Sequence, residues 1–500
     1  MTVGLLLGMS LAALEATVVS TAMPTVISTL GGLAHYSWVF AVYLLTSTAS
    51  VPIWGRLSDL YGRRRLYLTG IVVFLAGSAL SGVAATMPQL IVFRGIQGLG
   101  AGAVIPLSMT IIGELYSLEE RARTQALFSG MWGLASIAGP LVGGYITDAL
   151  SWRWVFFLNL PFGALAVIVI ALAYPVSARP KAAAVDWPGA ALLFGGTTTL
   201  LIALGGVAES IAGWLIATIV LLGAFLFVER RASDPILPLA LFRYPVVSRS
   251  LVVVFMTGMA MFGAIAFVPL FVQMVMSGTA TEAGQVLTPL FLGWVLMSIA
   301  AARLTVRIGY RPVTIAGNAL LTTGFLALAT IDQNTTRTAL FLAVFVLGCG
   351  MGLAMLALLL AVQHGVDRSL LGLATSLNQF SRSVGAAIGV AVMGAILARN
   401  LAGIPLVAAT HGLPSAIMSL DAPARAQFAL ALGRVFAAGA VMSAIGLAAS
   451  FALPPVQFAA GVPAAAGGRM LAAEMATVQS GDGPDRESTA TAEMSSERTP

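Results

Sequence analysis

Fourteen runs of mostly apolar residues, each of about membrane-spanning length and joined by short polar loops, occupy nearly all of this 500-residue chain. A helix needs about 20 such residues to cross the hydrocarbon core of a bilayer. Inside that core only helices and closed barrels satisfy their own backbone polar groups. The spans are expected near 2–23, 37–56, 66–86, 88–112, 124–148, 153–174, 187–207, 210–229, 247–275, 285–306, 311–331, 337–362, 371–398 and 427–453. Composition leaves no soluble alternative, since 58% of the residues are hydrophobic and 9% charged, against about 25% charged in soluble domains. The expected fold class is therefore an all-α membrane protein. Residues 456–500 change to Ala, Gly and Pro and then to Ser, Thr, Glu and Asp; that composition cannot bury a core, so a disordered tail is expected.

The charges orient the spans. Net charge is +6, but the basic residues are scattered between apolar runs and form no exposed patch, so nucleic acid is not an expected partner. An even number of spans puts both termini on one side. The loops with Arg63, Arg64 and Arg65, with Arg121 and Arg123, with Arg179 and Lys181, with Arg230, Arg231 and Arg243, and with Arg307 and Arg311 then share that side. The opposite loops carry Arg153, Arg337, Arg399 and Arg425. The excess of Arg and Lys marks the first side as cytoplasmic, with both termini there. The first span has no basic segment before it and makes a poor signal peptide. The loop 399–426, irregular because of Pro405, Pro414 and Pro423, lies on the outer side, and the last helix is expected to begin outside the membrane near Ala422.

Several chemistries are unsupported. The one lysine, Lys181, is followed by Ala182, so no phosphate-binding Gly-x-x-x-x-Gly-Lys-Ser/Thr loop exists to drive an ATP pump. No Gly-x-Ser-x-Gly nucleophile turn occurs. Three scattered histidines and the single Cys349 make no metal cluster and no intramolecular disulfide. The expectation is a non-enzyme without metal or cofactor.

Between spans 2 and 3 lies Gly55-Arg56-Leu57-Ser58-Asp59-Leu60-Tyr61-Gly62-Arg63-Arg64-Arg65. Three consecutive arginines cannot sit in hydrocarbon, so this is a tight, charged hairpin at one membrane face. A degraded copy, Ala302-Arg303-Leu304-Thr305-Val306-Arg307-Ile308-Gly309-Tyr310-Arg311, follows about 247 residues later between two further spans. An in-register echo implies two related halves, an organisation found in transporters.

Ionisable groups inside a membrane are costly, and each is a functional hypothesis. Glu15 lies roughly 20 Å along the first helix from its start, with no other charge within four positions. It can be neutral when buried and ionised when water reaches it, as proton carriage or cation recognition requires; the alternative is a structural carboxyl bonded across a helix interface. Arg94 sits mid-span, with Gln97 and Gly98 on its face. It must meet protein, a carboxylate or water, either to position an acid or to clamp helices. In span 5, Ala135, Gly139 and Gly143 form a stripe of small residues and Pro140 bends the helix. In span 13, Thr375, Asn378, Gln379 and Arg382 are placed on one stripe, lining a polar cavity or bonding to neighbouring helices. Trp38, Tyr43, Trp132, Met256, Met261 and Phe262 suit an adaptable apolar binding surface. Gln273, Glu282 and Gln285 are expected to be solvated near outer helix ends, and His364 at a cytoplasmic one.

These motifs together resemble the major facilitator superfamily and, within it, the fourteen-helix drug:proton antiporters. The hairpin with Gly55, Arg56, Asp59, Gly62, Arg63 and Arg64 is similar to the superfamily's loop 2–3 signature. Arg94 to Gly102 is similar to the span 4 signature, whose arginine is implicated in proton coupling. Gly139, Pro140, Gly143 and Gly144 are similar to the antiporter signature of span 5. The segment Trp152-Arg153-Trp154-Val155-Phe156-Phe157-Leu158-Asn159-Leu160-Pro161 resembles the entry to span 6. Leu14 to Pro24 resembles the span 1 signature, with Glu15 where the family usually has Asp, and Val306 replaces the acid expected in a full hairpin repeat. The resemblance implies a major facilitator fold with an N-terminal six-helix bundle (1–174), an inserted helix pair with its linkers (175–246), a C-terminal six-helix bundle (247–455) and a cytoplasmic tail (456–500). It further implies a bacterial plasma-membrane exporter of amphipathic or cationic small molecules, driven by a proton gradient through Glu15 and Arg94. A periplasmic adaptor is expected only if the source has an outer membrane. The rival readings are a dedicated exporter of one metabolite, lipid or siderophore, an importer, and a membrane-embedded enzyme.

Overall fold

The computed structural model describes residues 2–115, 118–174, 186–204, 210–232, 239–366, 370–401 and 422–455. They form fourteen long helices and no sheet. Numbered in chain order, these are α1 (Thr2–Leu30), α2 (Tyr36–Tyr61), α3 (Arg63–Gly82), α4 (Met87–Leu115), α5 (Leu118–Ala149), α6 (Arg153–Ala173), α7 (Trp187–Leu204), α8 (Ile211–Glu229), α9 (Pro245–Met274), α10 (Ala280–Ile308), α11 (Tyr310–Ala329), α12 (Arg337–His364), α13 (Leu371–Leu401) and α14 (Ala422–Phe451). Thirteen of them are long and apolar enough to cross a membrane, and α5 completes the set. The last helix begins at Ala422, where it was expected. The expectations for Arg179, Lys181, Pro405, Pro414 and the tail fall outside the described residues, as do those for the side chains of Arg56, Asp59, Arg121, Arg123 and Trp132.

Helices α1–α6 pack among themselves, as do α9–α14. The two groups meet where α5 packs on α10, α2 on α13, and α1 on α9 and α10. The inserted pair packs on itself and reaches the rest through α7, which lies on α2 and α13. Helix α8 shows Ile216, Ile219, Val220 and Phe227 on its outside, a face suited to lipid.

The hairpin echo is structural as well as textual. Helices α2 and α3 are joined by Gly62 alone (φ 90°), and α10 and α11 by Gly309 alone (φ 85°). Gly62 N–H donates to Ser58 O and Gly309 N–H to Thr305 O, both at 3.0 Å, and Ser58 and Thr305 are both buried. Positive φ at a one-residue joint calls for glycine. Around Gly62 no atom lies within 4 Å of an added Cβ, so Gly62→Ala should cost backbone strain alone, about 1–3 kcal/mol. A thermal unfolding assay in detergent should show a lowered midpoint for Gly62→Ala and none for Gly55→Ala, also in open space but with helical backbone.

These joints define a hairpin end of the bundle and an opposite, distal end. At the distal end the halves are sealed. Tyr36 Oη donates to Ala266 O. Gln273 Nε2 donates to Thr21 O at 2.8 Å, and its Oε1 accepts from Thr25 Oγ1 at 3.1 Å. Gln273 is thus a cross-bundle tie and not the solvated side chain expected from its place near a helix end. Asp148, ending α5, accepts from Ala280 N–H (3.1 Å), Thr281 N–H (2.7 Å) and Thr281 Oγ1 (2.5 Å), capping the first turn of α10 from the other half. Toward the hairpin end α10 is exposed at Ala302, Arg303, Leu304, Val306, Arg307 and Ile308.

Candidate functional site

Glu15 is not alone. It is 2% exposed, and its Oε1 pairs with Nη1 of Arg94, likewise 2% exposed. Arg94 Nη1 also donates to Gln97 Oε1 (2.7 Å), and Nε donates to Val39 O (3.3 Å). The guanidinium carbon lies 4.2 Å from the Tyr43 ring centroid and 5.9 Å from that of Phe156. On its other oxygen Glu15 accepts from Asn159 Nδ2 at 2.7 Å. Asn159 Nδ2 and Gln97 Nε2 both donate to Ser78 Oγ, at 3.0 and 3.2 Å, and Ser78 Oγ donates to Phe156 O at 2.8 Å. Glu15, Arg94, Gln97, Ser78 and Asn159 therefore close a ring of hydrogen bonds, drawn from α1, α4, α3 and α6.

Local sequence explains why the ring can close. A Cβ on Gly77 would lie 2.3 Å from Gln97 N, so α3 and α4 touch backbone to backbone and Ser78 reaches Gln97. A Cβ on Gly98 would lie 2.6 Å from Tyr43 O, which seats α2 on α4 and brings the Tyr43 ring over Arg94. Helix α6 breaks at Leu158 into Arg153–Phe157 and Asn159–Ala173. Pro161 has no N–H to continue the first piece, and the break turns Asn159 inward at the second piece's start.

In low dielectric a bare carboxylate or guanidinium is expensive, and a well-bonded pair recovers much of that cost. Here each carboxylate oxygen accepts one bond, and the 2% exposure of Glu15 shuts it off from solvent. The arginine keeps three further acceptors: the Gln97 amide oxygen, the Val39 carbonyl and the Tyr43 face. The site can thus lose the carboxylate's charge without stranding the guanidinium, an asymmetry suited to taking up a proton at Glu15.

The antiporter-like stripe of α5 splits its contacts between the halves. Added Cβ atoms would lie 2.0 Å from Thr17 Oγ1 at Gly139 and 2.6 Å from Val18 O at Gly143, both on α1. At Gly144 the Cβ would lie 2.4 Å from Ala280 O on α10. A Cβ on Gly284 of α10 would in turn lie 2.1 Å from Pro140 O. The segment that touches α1 two residues beyond Glu15 is therefore the one that closes the halves.

On α13 the expected stripe divides. Asn378 is buried, Arg382 is half-buried, and Gln379 is exposed, because a neighbour in sequence is turned about 100° away. Thr375 Oγ1 accepts from Gln363 Nε2 at 3.2 Å. Met261 and Tyr43 are packed in the interior; Tyr43 stacks on Arg94, which removes it from an adaptable binding surface. Glu282 caps its own helix with Thr279 and pairs with Arg337 at 2.6 Å, while Gln285 and His364 are exposed. Arg64 donates to Ala171 O, tying the hairpin to the end of α6. Ser78, Asn159, Asp148 and Gly284 were not singled out by sequence reasoning. A small polar residue in an apolar span was the available signal for Ser78, and an Asn placed just before a helix-breaking proline for Asn159.

The sequence model of the Major Facilitator Superfamily matches residues 5–390. The chain is 39% identical over 429 residues to the multidrug transporter protein MdtP of Bacillus subtilis, covering 84% of this chain and 79% of that protein. It is 36% identical over 400 residues to multidrug resistance protein 3 of the same organism, covering 79% and 78%. Among solved structures, an auto-inhibited POT family peptide transporter aligns with a TM-score of 0.64 at 16% identity, covering 92% of this chain and 99% of that one. A bacterial homologue of the human lysosomal transporter Spinster, inward-facing and occupied, aligns with a TM-score of 0.62 at 15% identity, covering 90% and 95%.

Proposed function

The chain belongs to the Major Facilitator Superfamily, and we propose that it is a proton-driven exporter of amphipathic small molecules that works by alternating access. The observation that carries this reading is the buried Glu15–Arg94 pair with its spare acceptors. The multidrug names of two relatives support export of more than one compound. The excess of arginine at the hairpin end favours a cytoplasmic location for that end, with both termini there, in a bacterial plasma membrane. Sealed distally, with the α10 end next to the hairpin exposed, the molecule is then in its cytoplasm-facing state.

In this state Glu15 is held by Arg94 and Asn159 and shut away from solvent. Substrate enters from the hairpin end. When the halves rock and the distal seal parts, water reaches the ring from outside and Glu15 takes up a proton. Arg94 then falls back on Gln97, Val39 and Tyr43. The neutral acid weakens the α1–α4 tie, and the molecule returns to the cytoplasm-facing state with the proton, which leaves to water from the hairpin end before Arg94 and Asn159 close on the carboxylate again. Because both carboxylate oxygens are engaged here, a cationic substrate finds no free acid at Glu15. Competition between proton and substrate acts through conformation, not through direct exchange on one carboxylate.

The test is transport into or out of proteoliposomes holding the purified protein. With an imposed pH gradient, a fluorescent amphipath should move against its concentration difference and dissipate the gradient as it does so. Transport unchanged when a protonophore collapses the gradient would rule the coupling out.

A further inference from the structure

Helix α13 holds a second charge inside a span, the half-buried Arg382, that the proton site does not use. Arg382 Nε is sealed from solvent and has no hydrogen-bond partner, and the Nδ2 of Asn378, one turn earlier and 4% exposed, has none either. No carboxylate among the described residues pairs with Arg382, whereas Arg94 has Glu15 and Arg337 has Glu282. Arg382 lies about 16 Å along α13 from Leu371, too deep for the hairpin-end surface to serve it. Buried polar groups are almost always bonded, and an uncompensated guanidinium inside a membrane protein is costly enough to mark a site.

The face is settled by packing. Ser381 and Gly385 turn to α9, where Ser381 Oγ donates to Leu251 O at 2.9 Å and a Cβ on Gly385 would lie 2.3 Å from Phe255 O. Ser376 and Gln379 lie on another stripe and are exposed. Farther along, that same stripe is shut against the other half. A Cβ on Gly394 would lie 2.1 Å from Ser37 Oγ of α2, and Leu397 and Leu401 are buried. At the distal end the stripe therefore lies against α2 of the other half, and toward the hairpin end it carries exposed polar side chains, as the wall of a water-filled path would. Arg382 stands between this stripe and the α9 contact, with Asn378, two turns before Gly385, on its α9 side.

We propose that Arg382 and Asn378 form an anion-recognising subsite in the translocation path, and that the molecules exported carry a carboxylate on an amphipathic body. The unpartnered nitrogens offer N–H donors. A guanidinium presents them as a planar fork that matches a carboxylate at two points. The proposal rests on the chain being a transporter, names its substrate class, and turns away from cations, since the ring's acid is buried and already paired with Arg94 and Asn159.

The experiment uses the full-length protein in phosphatidylcholine nanodiscs and three probes on one scaffold: dansyl-phenylalanine, its methyl ester, and the cation dansylcadaverine. The acid should bind more tightly than the ester by about tenfold, the contribution of one charge-assisted hydrogen bond. Arg382→Gln should erase that preference and leave the ester's affinity unchanged; Asn378→Ala should narrow it. If Arg382→Gln does not give monodisperse protein, Arg382→Met, which keeps an unbranched stem and removes charge and donors, replaces it and should erase the preference likewise. Wild-type protein that binds acid and ester equally, or a preference that survives Arg382→Gln, overturns the proposal. So does loss of acid binding when phosphatidylglycerol is added to the nanodiscs, which would make a lipid phosphate the occupant. Failure of all three probes to move under a pH gradient, with the acid preference intact, would strike the exporter reading and spare the subsite.

Discussion

Glu15→Gln should abolish pH-gradient-driven transport while leaving the protein folded and able to exchange substrate at equilibrium. Glutamine keeps the length of the side chain and one oxygen for Arg94, and its NH2 can donate to Asn159 once that amide turns its oxygen round, but it cannot gain or lose a proton in the working range. Breaking a buried ion pair commonly costs about 3–5 kcal/mol because one charge is left stranded. Here the loss should fall below that range, since Gln97 Oε1, the Val39 carbonyl and the Tyr43 ring remain around the guanidinium. Arg94→Leu should be the worse change for folding, for it leaves the carboxylate with Asn159 alone. The discriminating measurement pairs gradient-driven uptake with substrate counterflow in the same proteoliposomes. Wild-type gradient-driven uptake by Glu15→Gln would remove Glu15 from the coupling role. Loss of counterflow together with uptake would point to a structural part instead.

Gly284→Val should hold the distal end open. Its Cβ would lie 2.1 Å from Pro140 O, a backbone atom with little room to move. Overpacking of this kind costs about 1–3 kcal/mol, and it is charged to the distally closed state alone. That difference shifts the equilibrium between the two states by roughly 5- to 150-fold. Asp148→Ala should act in the same direction but more weakly, by about 1 kcal/mol for a lost helix cap. The readout is labelling of a cysteine placed at Thr25, in a Cys349→Ala background, by a membrane-impermeant maleimide. Labelling should accelerate in Gly284→Val and stay unchanged in Gly223→Val, where nothing lies within 4 Å of the added carbon. Equal rates in parent and Gly284→Val would show that this contact does not gate the distal end.

Much of this was legible before any coordinates. Span length and apolar composition gave the fourteen helices. The repeated hairpin foretold two related joints, and Gly62 and Gly309 adopt the same positive-φ geometry. Glycines near Arg94 and in α5 were read as places of close approach, and Gly98, Gly139 and Gly143 are such places. Other features were out of reach. Glu15 looked isolated because its partners lie 79 and 144 positions away in sequence. Gln273 looked solvated because a glutamine near a helix end usually is, yet the other half supplies both its partners. Gln379 was grouped with Asn378 by polarity, and the helix turns the two apart.

The sequence by itself determined that this chain crosses a membrane as helices, how many, and where its costly charges fall along them, because hydrocarbon admits no other backbone and penalises each ion by its position in a span. Tertiary structure alone decided which charges meet. Arg94 found a carboxylate, an amide and two aromatic faces, whereas Arg382 found none of the described carboxylates. Both are arginines within apolar helices, and what separates them is which distant helices the glycine contacts allow to come near.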